Sequence, residues 1–460
     1  MPTLGVAASD HLLMEFRRAA MFVPAYQVVL AEQGVRASDV WDVETFSRVV
    51  PVLSKANTFD RFPLADLSVG GRLPDLAGVL TSSGHGGRFS FGVIGREEAA
   101  SAGAFVDAAL DAAFGVKSRK TLALNCLPMG VGIASDCMTV ATTSVREDMA
   151  LALIRTFGGD YEQIVVIADP LFMKRLTDAA AEQAFDWLRY RLHVVIGEET
   201  FGEHFRTYVG GCLGLAPDDP NGGRLLSSFG VAELGLHLCF ETAATTALVR
   251  AMTRRPALAR DLLGHCGAEA SARSRPMLLA YHPERTFMEI VGADGDGYGA
   301  LTISMLDPTR SVPLLRYQTG DVARLLDPGH VAAALGAHGL TGLAIPPSLL
   351  ALKGRVKEAL PNGANVALYK DALYADPVVA RRVTGATRLF FRDGDLTMHV
   401  QLARGQAADA GLEPQIAQTL PSPVRPSRVR LWAYEQFPFG MTLDYERKFP
   451  HYVPGEVEPG

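Results

Sequence analysis

The sequence has no Cys-x-x-Cys pair, no uninterrupted apolar run long enough to cross a bilayer and no excess of basic residues. Each absence removes a class of function. The five cysteines (Cys126, Cys137, Cys212, Cys239, Cys266) are odd in number and widely spread, which fits reduced thiols, mostly buried as small hydrophobes, better than a disulfide frame. The most apolar stretch, TLALNCLPMGVGIA, is broken by Asn, Pro and Gly, and the opening MPTLGVAASDHLLMEF has no basic region ahead of it. Neither a membrane span nor an export signal is expected, so the chain reads as cytoplasmic with no membrane partner. With 44 Lys and Arg against 50 Asp and Glu, the net charge is -6, and nothing offers the cationic surface that a nucleic acid requires. A small molecule is the expected partner.

What is present is the composition of a folded globular protein. The 460 residues are 48% hydrophobic and 20% charged, a length of roughly three domain-sized units. Residues 10–33 show helical spacing interrupted by Pro24 and predict a helix pair. From about residue 97, helical stretches (REEAASAGAFVDAALDAAFG, LFMKRLTDAAAEQAFDWLRYR) alternate with short apolar strands (TLALN, EQIVVIADP, LHVVIGE). That alternation predicts a mostly parallel sheet whose ligands gather at the carboxyl ends of its strands. After about 275, strands follow one another without helices (PMLLAY, TFMEIV, GALTISML), as in an antiparallel β unit. Beyond a Gly/Pro-rich passage, a compact α+β region begins near residue 354.

Four short stretches carry chemistry. TSSGHGGRFS, 81–90, combines glycines with hydroxyls and a cation. Such a turn brings backbone close to a phosphate, but it is equally an ordinary loop, and no Lys follows its last glycine as in a P-loop. SSFGVAELG, 227–235, follows an apolar pair and precedes a helical stretch, which puts Glu233 at a strand-to-helix junction. LLRYQTGDVARLL reads as two strands with Gly320 and Asp321 at the tip of a hairpin. LKGRVKEALPNGANV lies at the domain boundary. A zinc site from His237, Cys239, His265 and Cys266 is disfavoured because the spacings form no standard ligand pair. Ser83 does not sit in the G-x-S-x-G of a hydrolase nucleophile.

In this order and at these separations the stretches resemble the adenylate-forming superfamily of acyl-CoA synthetases, peptide-synthetase adenylation domains and luciferases, with most likeness to the phenylacetate-CoA ligase branch. The opening VPAYQVVLAEQGV and the segment PVLSK, 51–55, resemble that branch's entry segment. The resemblance implies a large N-terminal domain, 1–353, of α/β subdomains with a small β subdomain, and a mobile α+β C-terminal domain, 354–460. It also implies ATP, Mg²⁺ and CoA as cofactors. Ser82, Ser83, Gly84, His85, Gly86, Gly87 and Arg88 fall on the phosphate loop, with Arg88 in place of the usual lysine and His85 and Gly86 in place of two threonines. Glu233 falls on the magnesium ligand, Phe229 and Gly230 on the adenine-flanking stretch, and Glu199 on the glutamate lining the adenine and acyl pockets. Asp321 falls on the ribose-binding carboxylate and Arg355 on the arginine that opens the C-terminal domain, with Lys357 at the hinge. Lys448 is the candidate for the catalytic lysine. The implied reaction is biosynthetic activation of a small carboxylic acid, aryl or arylacetyl, as an acyl adenylate, followed by transfer to CoA. Transfer to a carrier protein or amine, or a non-catalytic nucleotide-binding descendant, stays open.

Overall fold

A computed structural model of the chain describes residues 6–81, 91–128, 130–216, 219, 222–264, 275–440 and 449–458. The elements begin with α1 (Val6–Phe22), α2 (Pro24–Glu32), α3 (Val43–Val49), β1 (Leu76–Thr81), β2 (Phe91–Gly95), α4 (Arg96–Phe114), β3 (Thr121–Asn125) and β4 (Thr139–Thr142). They continue with α5 (Glu147–Phe157), β5 (Gln163–Ala168), α6 (Pro170–Glu182), β6 (Leu192–Ile196), α7 (Glu203–Cys212), β7 (Leu225–Val231) and β8 (Gly235–Phe240). Next come α8 (Ala243–Arg254), α9 (Pro256–Leu263), β9 (Met277–Tyr281), β10 (Thr286–Val291), β11 (Gly299–Met305), β12 (Tyr317–Leu326), α10 (Pro328–Ala337) and β13 (Leu349–Arg355). The last are α11 (Val366–Ala372), α12 (Pro377–Arg382), β14 (Val383–Arg392), β15 (Asp395–Leu402), α13 (Leu412–Gln418) and β16 (Arg428–Trp432).

Three helices start on the same dipeptide. Asp169-Pro170, Asp327-Pro328 and Asp376-Pro377 each place a carboxylate at the N-cap and a proline in the first turn. The carboxylate accepts from a backbone N–H two or three residues on, at 3.0, 2.7 and 2.7 Å, and proline's fixed φ suits a position whose N–H needs no partner. Pro24 likewise opens α2, so the predicted helix pair is two helices divided at Val23.

The chain forms two compact units. The first joins Met1–Phe105, Phe229–Thr245 and Leu278–Leu352. Its strands lie in the order β10-β11-β12-β13-β9-β8, with β10, β11 and β12 successively antiparallel, and β1 and β2 form a separate antiparallel hairpin. The second joins Val106–Ser228, Thr246–Met277 and Lys353–Gly460. Its main sheet, in the order β7-β6-β5-β3-β4, is parallel throughout, and β14-β15-β16 form a smaller mixed sheet. The strands β3, β5 and β6 are buried along their whole length, as parallel strands covered on both faces must be. Leu110, Phe114, Ala123, Val165, Val195 and Leu226 pack together there, each larger side chain worth about 2 kcal/mol in area removed from water.

Of the cysteines, Cys126 and Cys239 are buried as expected, whereas Cys137 and Cys212 are exposed.

Candidate functional site

In the first unit the glycine-rich stretch, including Ser82, Ser83, Gly84, His85, Gly86, Gly87 and Arg88, lies outside the described residues; its stems do not. Thr81 of β1 stands opposite Phe91 of β2, so the stretch joins two paired strands. One residue further, Gly92 has no room for a side chain: a Cβ there would overlap the carbonyl of Ala232. The base of the hairpin is therefore pressed directly against the residue preceding Glu233.

Glu233 lies in a turn between two strands, not at the predicted strand-to-helix junction. Leu234 donates its N–H to the Val231 carbonyl at 3.0 Å, β8 follows at once, and the next helix begins only at Ala243. The missed signal is Gly235, whose φ of 115° lets the chain reverse. Gly230 fits the same geometry, since a Cβ on it would come within 2.8 Å of the Leu236 Cα. Arg310 fixes the turn from behind, its Nη2 donating to the Glu233 carbonyl at 3.1 Å while its Nη1 pairs with Glu98 at 3.0 Å. The Glu233 side chain is mostly shielded from solvent. Phe229 sits on the same strand as Gly230.

Asp321 is not at a hairpin tip either. It lies within the ten-residue strand β12, at a bulge: Ala300 pairs with Val322 and Thr302 with Gln318, so three residues of β12 face Leu301 alone. Gly320, at φ 82°, takes up the excess, a conformation that residues with a Cβ rarely adopt. Asp321, 3% exposed, closes the bulge on the same buried side of the strand as Tyr317 and Ala323, with its N–H donating to Thr319 Oγ1 at 3.3 Å. The segment 51–55 is tied to the start of this strand, because Leu53 and the strand exchange bonds of 2.9 and 2.8 Å across Arg316 and Gln318. Charges reach along it: the Tyr317 hydroxyl is pushed well above its ordinary value by burial and by the Glu233 carboxylate, and the Cys239 thiol by burial and by Asp321.

In the second unit, polar side chains collect at the carboxyl ends of β5 and β6. Asp169 caps α6 through Oδ1, whereas its buried Oδ2 has no hydrogen-bond partner among the described residues. Burial pushes its carboxyl up to about 7, opposed by the Phe172 N–H and reinforced by the Glu199 charge. Glu199 follows β6, its N–H donating to the Gly197 carbonyl at 2.8 Å, and its carboxylate pairs with Lys370. His451 Nε2 lies 3.8 Å from the same carboxylate. Its Nδ1–H donates to the Thr387 carbonyl at 2.9 Å, and burial, with the Lys370 charge adding to it, holds the ring neutral, its pKa down to about 3. Arg355 ends β13 beside Gly354, whose φ of 121° and 3.1 Å approach to Asn365 exclude a side chain. Lys448 lies outside the described residues, but its successor Phe449 is buried with Leu171, Ala386 and Phe437.

The expected residues thus divide: Phe229, Gly230, Glu233 and Asp321 belong to the first unit, Glu199 and Arg355 to the second. Lys370, Asp371 and His451 carried no signal of their own in the sequence. Among the described residues no group of three or more His, Cys, Asp and Glu could hold a metal ion, and His265 and Cys266 lie outside them.

The chain has the fold of the adenylate-forming enzymes. It superposes on a 2-hydroxyisobutyryl-CoA ligase in the postadenylation state, in complex with an acyl-AMP, with a TM-score of 0.67 and 13% identity over 96% of this chain and 88% of that one. The same ligase in an open conformation with acyl-AMP and CoA gives 0.54 at 13% identity, covering 96% and 90%, and in its thioesterification state 0.55 at 14%, covering 93% and 86%. No family model and no curated protein matches the sequence.

Proposed function

We propose that the protein activates a small carboxylic acid with ATP, releasing pyrophosphate and forming an acyl adenylate, and then transfers the acyl group to CoA with release of AMP. The observation that carries this reading is the contact of Gly92 with Ala232, which joins the stem of the glycine-rich hairpin to the Glu233 turn. A phosphate-binding stretch and an oxygen ligand for magnesium are wanted side by side in that chemistry.

In this reading residues 82–88 hold the terminal phosphates by backbone N–H groups, hydroxyls and the Arg88 charge. Asp321 accepts hydrogen bonds from the ribose hydroxyls, Phe229 and Gly230 flank the adenine, and Arg355 reaches the ribose or phosphate. A site with few protein ligands suits Mg²⁺, which characteristically retains water and takes phosphate oxygens, and among the described residues no group of three or more His, Cys, Asp and Glu offers a caged site. Glu233 would hold the ion, which supplies neutralising charge on the phosphates. Lys448 neutralises the α-phosphate and the attacking carboxylate, so that the reaction depends on positioning and charge rather than on covalent catalysis. Rotation of the 354–460 domain about Lys357 would then withdraw Lys448 and admit the acceptor. The stretches 125–132, 168–172 and 194–199 are rich in apolar residues and glycine, which favours an aryl or arylacetyl acid, in keeping with the phenylacetate-CoA ligase-like branch.

The test is exchange of labelled pyrophosphate into ATP across a panel of carboxylic acids. Exchange that needs an aryl or arylacetyl acid is expected, and Lys448→Ala should abolish it without unfolding the protein. No exchange with any acid would sink the reading, and full exchange by the variant would remove Lys448 from it. Adding CoA, carrier proteins or amines to the active mixture identifies the acceptor.

A further inference from the structure

Helix α7 begins at Gly202, whose backbone is extended (φ -106°, ψ -179°) and which has no side chain to cap it. The cap comes from 169 residues further along the chain, in α11. Asp371 Oδ1 accepts the Phe205 N–H at 2.9 Å, and Oδ2 accepts the His204 N–H at 3.4 Å and lies 3.1 Å from His204 Nδ1. These are the second and third amides of the helix, the two that an N-cap side chain ordinarily satisfies. A Cβ on Gly202 would overlap the Asp371 carboxylate, so the missing side chain is what makes room for the borrowed one. The preceding residue, Lys370, pairs with Glu199, and its Nζ donates to the Thr200 carbonyl at 3.4 Å. Both charged side chains are largely buried, at 13% and 17% exposure. Two consecutive residues of one helix thus grip both ends of the stretch 199–205.

We propose that Lys370 and Asp371 are positioning residues through which the 354–460 segment orders the stretch 199–205, and so shapes the pocket for adenylate formation only while that segment is docked. The functional half of this inference rests on the reaction proposed above; the structural half rests on the geometry alone. The stretch has no cap of its own at position 202. When α11 withdraws, the first-turn N–H groups of α7 lose their acceptor and Glu199 loses its ammonium partner. The ordered loop and the docked segment are therefore one state, and acyl transfer after undocking has no use for either contact.

Asp371→Ala in the full-length protein tests this. Amide hydrogen exchange at His204 and Phe205 should accelerate about fivefold, the effect of losing one helix cap. The KM for the acid in pyrophosphate exchange should rise several-fold with kcat nearly constant, while conversion of supplied acyl adenylate to thioester proceeds at the wild-type rate. Adding Gly202→Asp to Asp371→Ala supplies a cap within the loop itself and should restore both the amide protection and the KM. Unchanged protection at residues 204 and 205, or equal loss in both half-reactions, would overturn the proposal. Were the wild type to show no acid-dependent exchange at all, the proposed reaction would fail, while the amide protection would still decide for or against the grip.

Discussion

At the scale of single residues, the candidate residues of each unit are placed as much by side chains that are missing as by those that are present. Gly92, Gly230 and Gly202 each leave space that another group occupies: the Ala232 carbonyl, the backbone of β8 and the Asp371 carboxylate. Gly320 differs, since nothing lies within 4 Å of a Cβ there and only its φ of 82° demands glycine. The distinction can be measured. Gly92→Ala should cost about 1–3 kcal/mol, because a strand or a turn must move to relieve overlap with backbone. Gly78→Ala, on the paired strand β1, meets Ile94 side-chain atoms at an ordinary 3.8 Å and should change stability by no more than about 0.5 kcal/mol. Urea unfolding of the two variants compares them, and equal midpoints would show that the Gly92 contact gives way easily. Sequence reasoning marked Gly320 as a turn residue, correctly in its φ and wrongly in its place, because a bulge and a hairpin tip make the same demand on one residue.

Elements differ in how far their own sequence supports them. The helices that start on Asp-Pro carry their caps with them, and the first of them, α6, was legible as a helical stretch. The cap of helix α7 was not legible in the sequence, since Asp371 is adjacent only after folding. That borrowed cap also makes the element sensitive to pH. The Asp371 hydrogen bond holds the His204 imidazole above its ordinary value near 6.5; partial burial and the Arg275 charge oppose it, and Glu203 helps. A raised folded-state value favours the protonated form in the native protein. The stabilisation is therefore complete below about pH 6.5 and is lost as pH rises through the higher folded value. Wild type should exceed His204→Gln in stability by more at pH 6 than at pH 8.5, measured by urea unfolding, and a difference that ignores pH would remove the pairing from the account.

At the scale of the whole molecule, two compact units share one chain that passes between them repeatedly. The three tryptophans report on them unequally. Trp41, in the first unit, is 62% exposed, whereas Trp187 is buried and Trp432 donates its indole N–H to His399 Nδ1 at 2.9 Å, both in the second. Tryptophan emission during denaturation should therefore follow the second unit, while far-ultraviolet circular dichroism averages both. Each unit has a core of its own, and non-coincident curves are expected. Superimposable curves would mean that the units melt as one.

The sequence by itself determined the class of fold and its division into a parallel α/β half and an antiparallel β half. Periodicity, capping and glycine placement act over a few residues, and a linear reading can see them. Only the tertiary structure decided that Glu233 sits in a turn between two strands, that Asp321 lies in a bulge and that Lys370 and Asp371 serve a stretch 169 residues away. Those facts depend on which backbones approach closely enough to exclude a Cβ and on which buried charges must find partners. Contacts of that kind exist only between segments that the fold has already brought together.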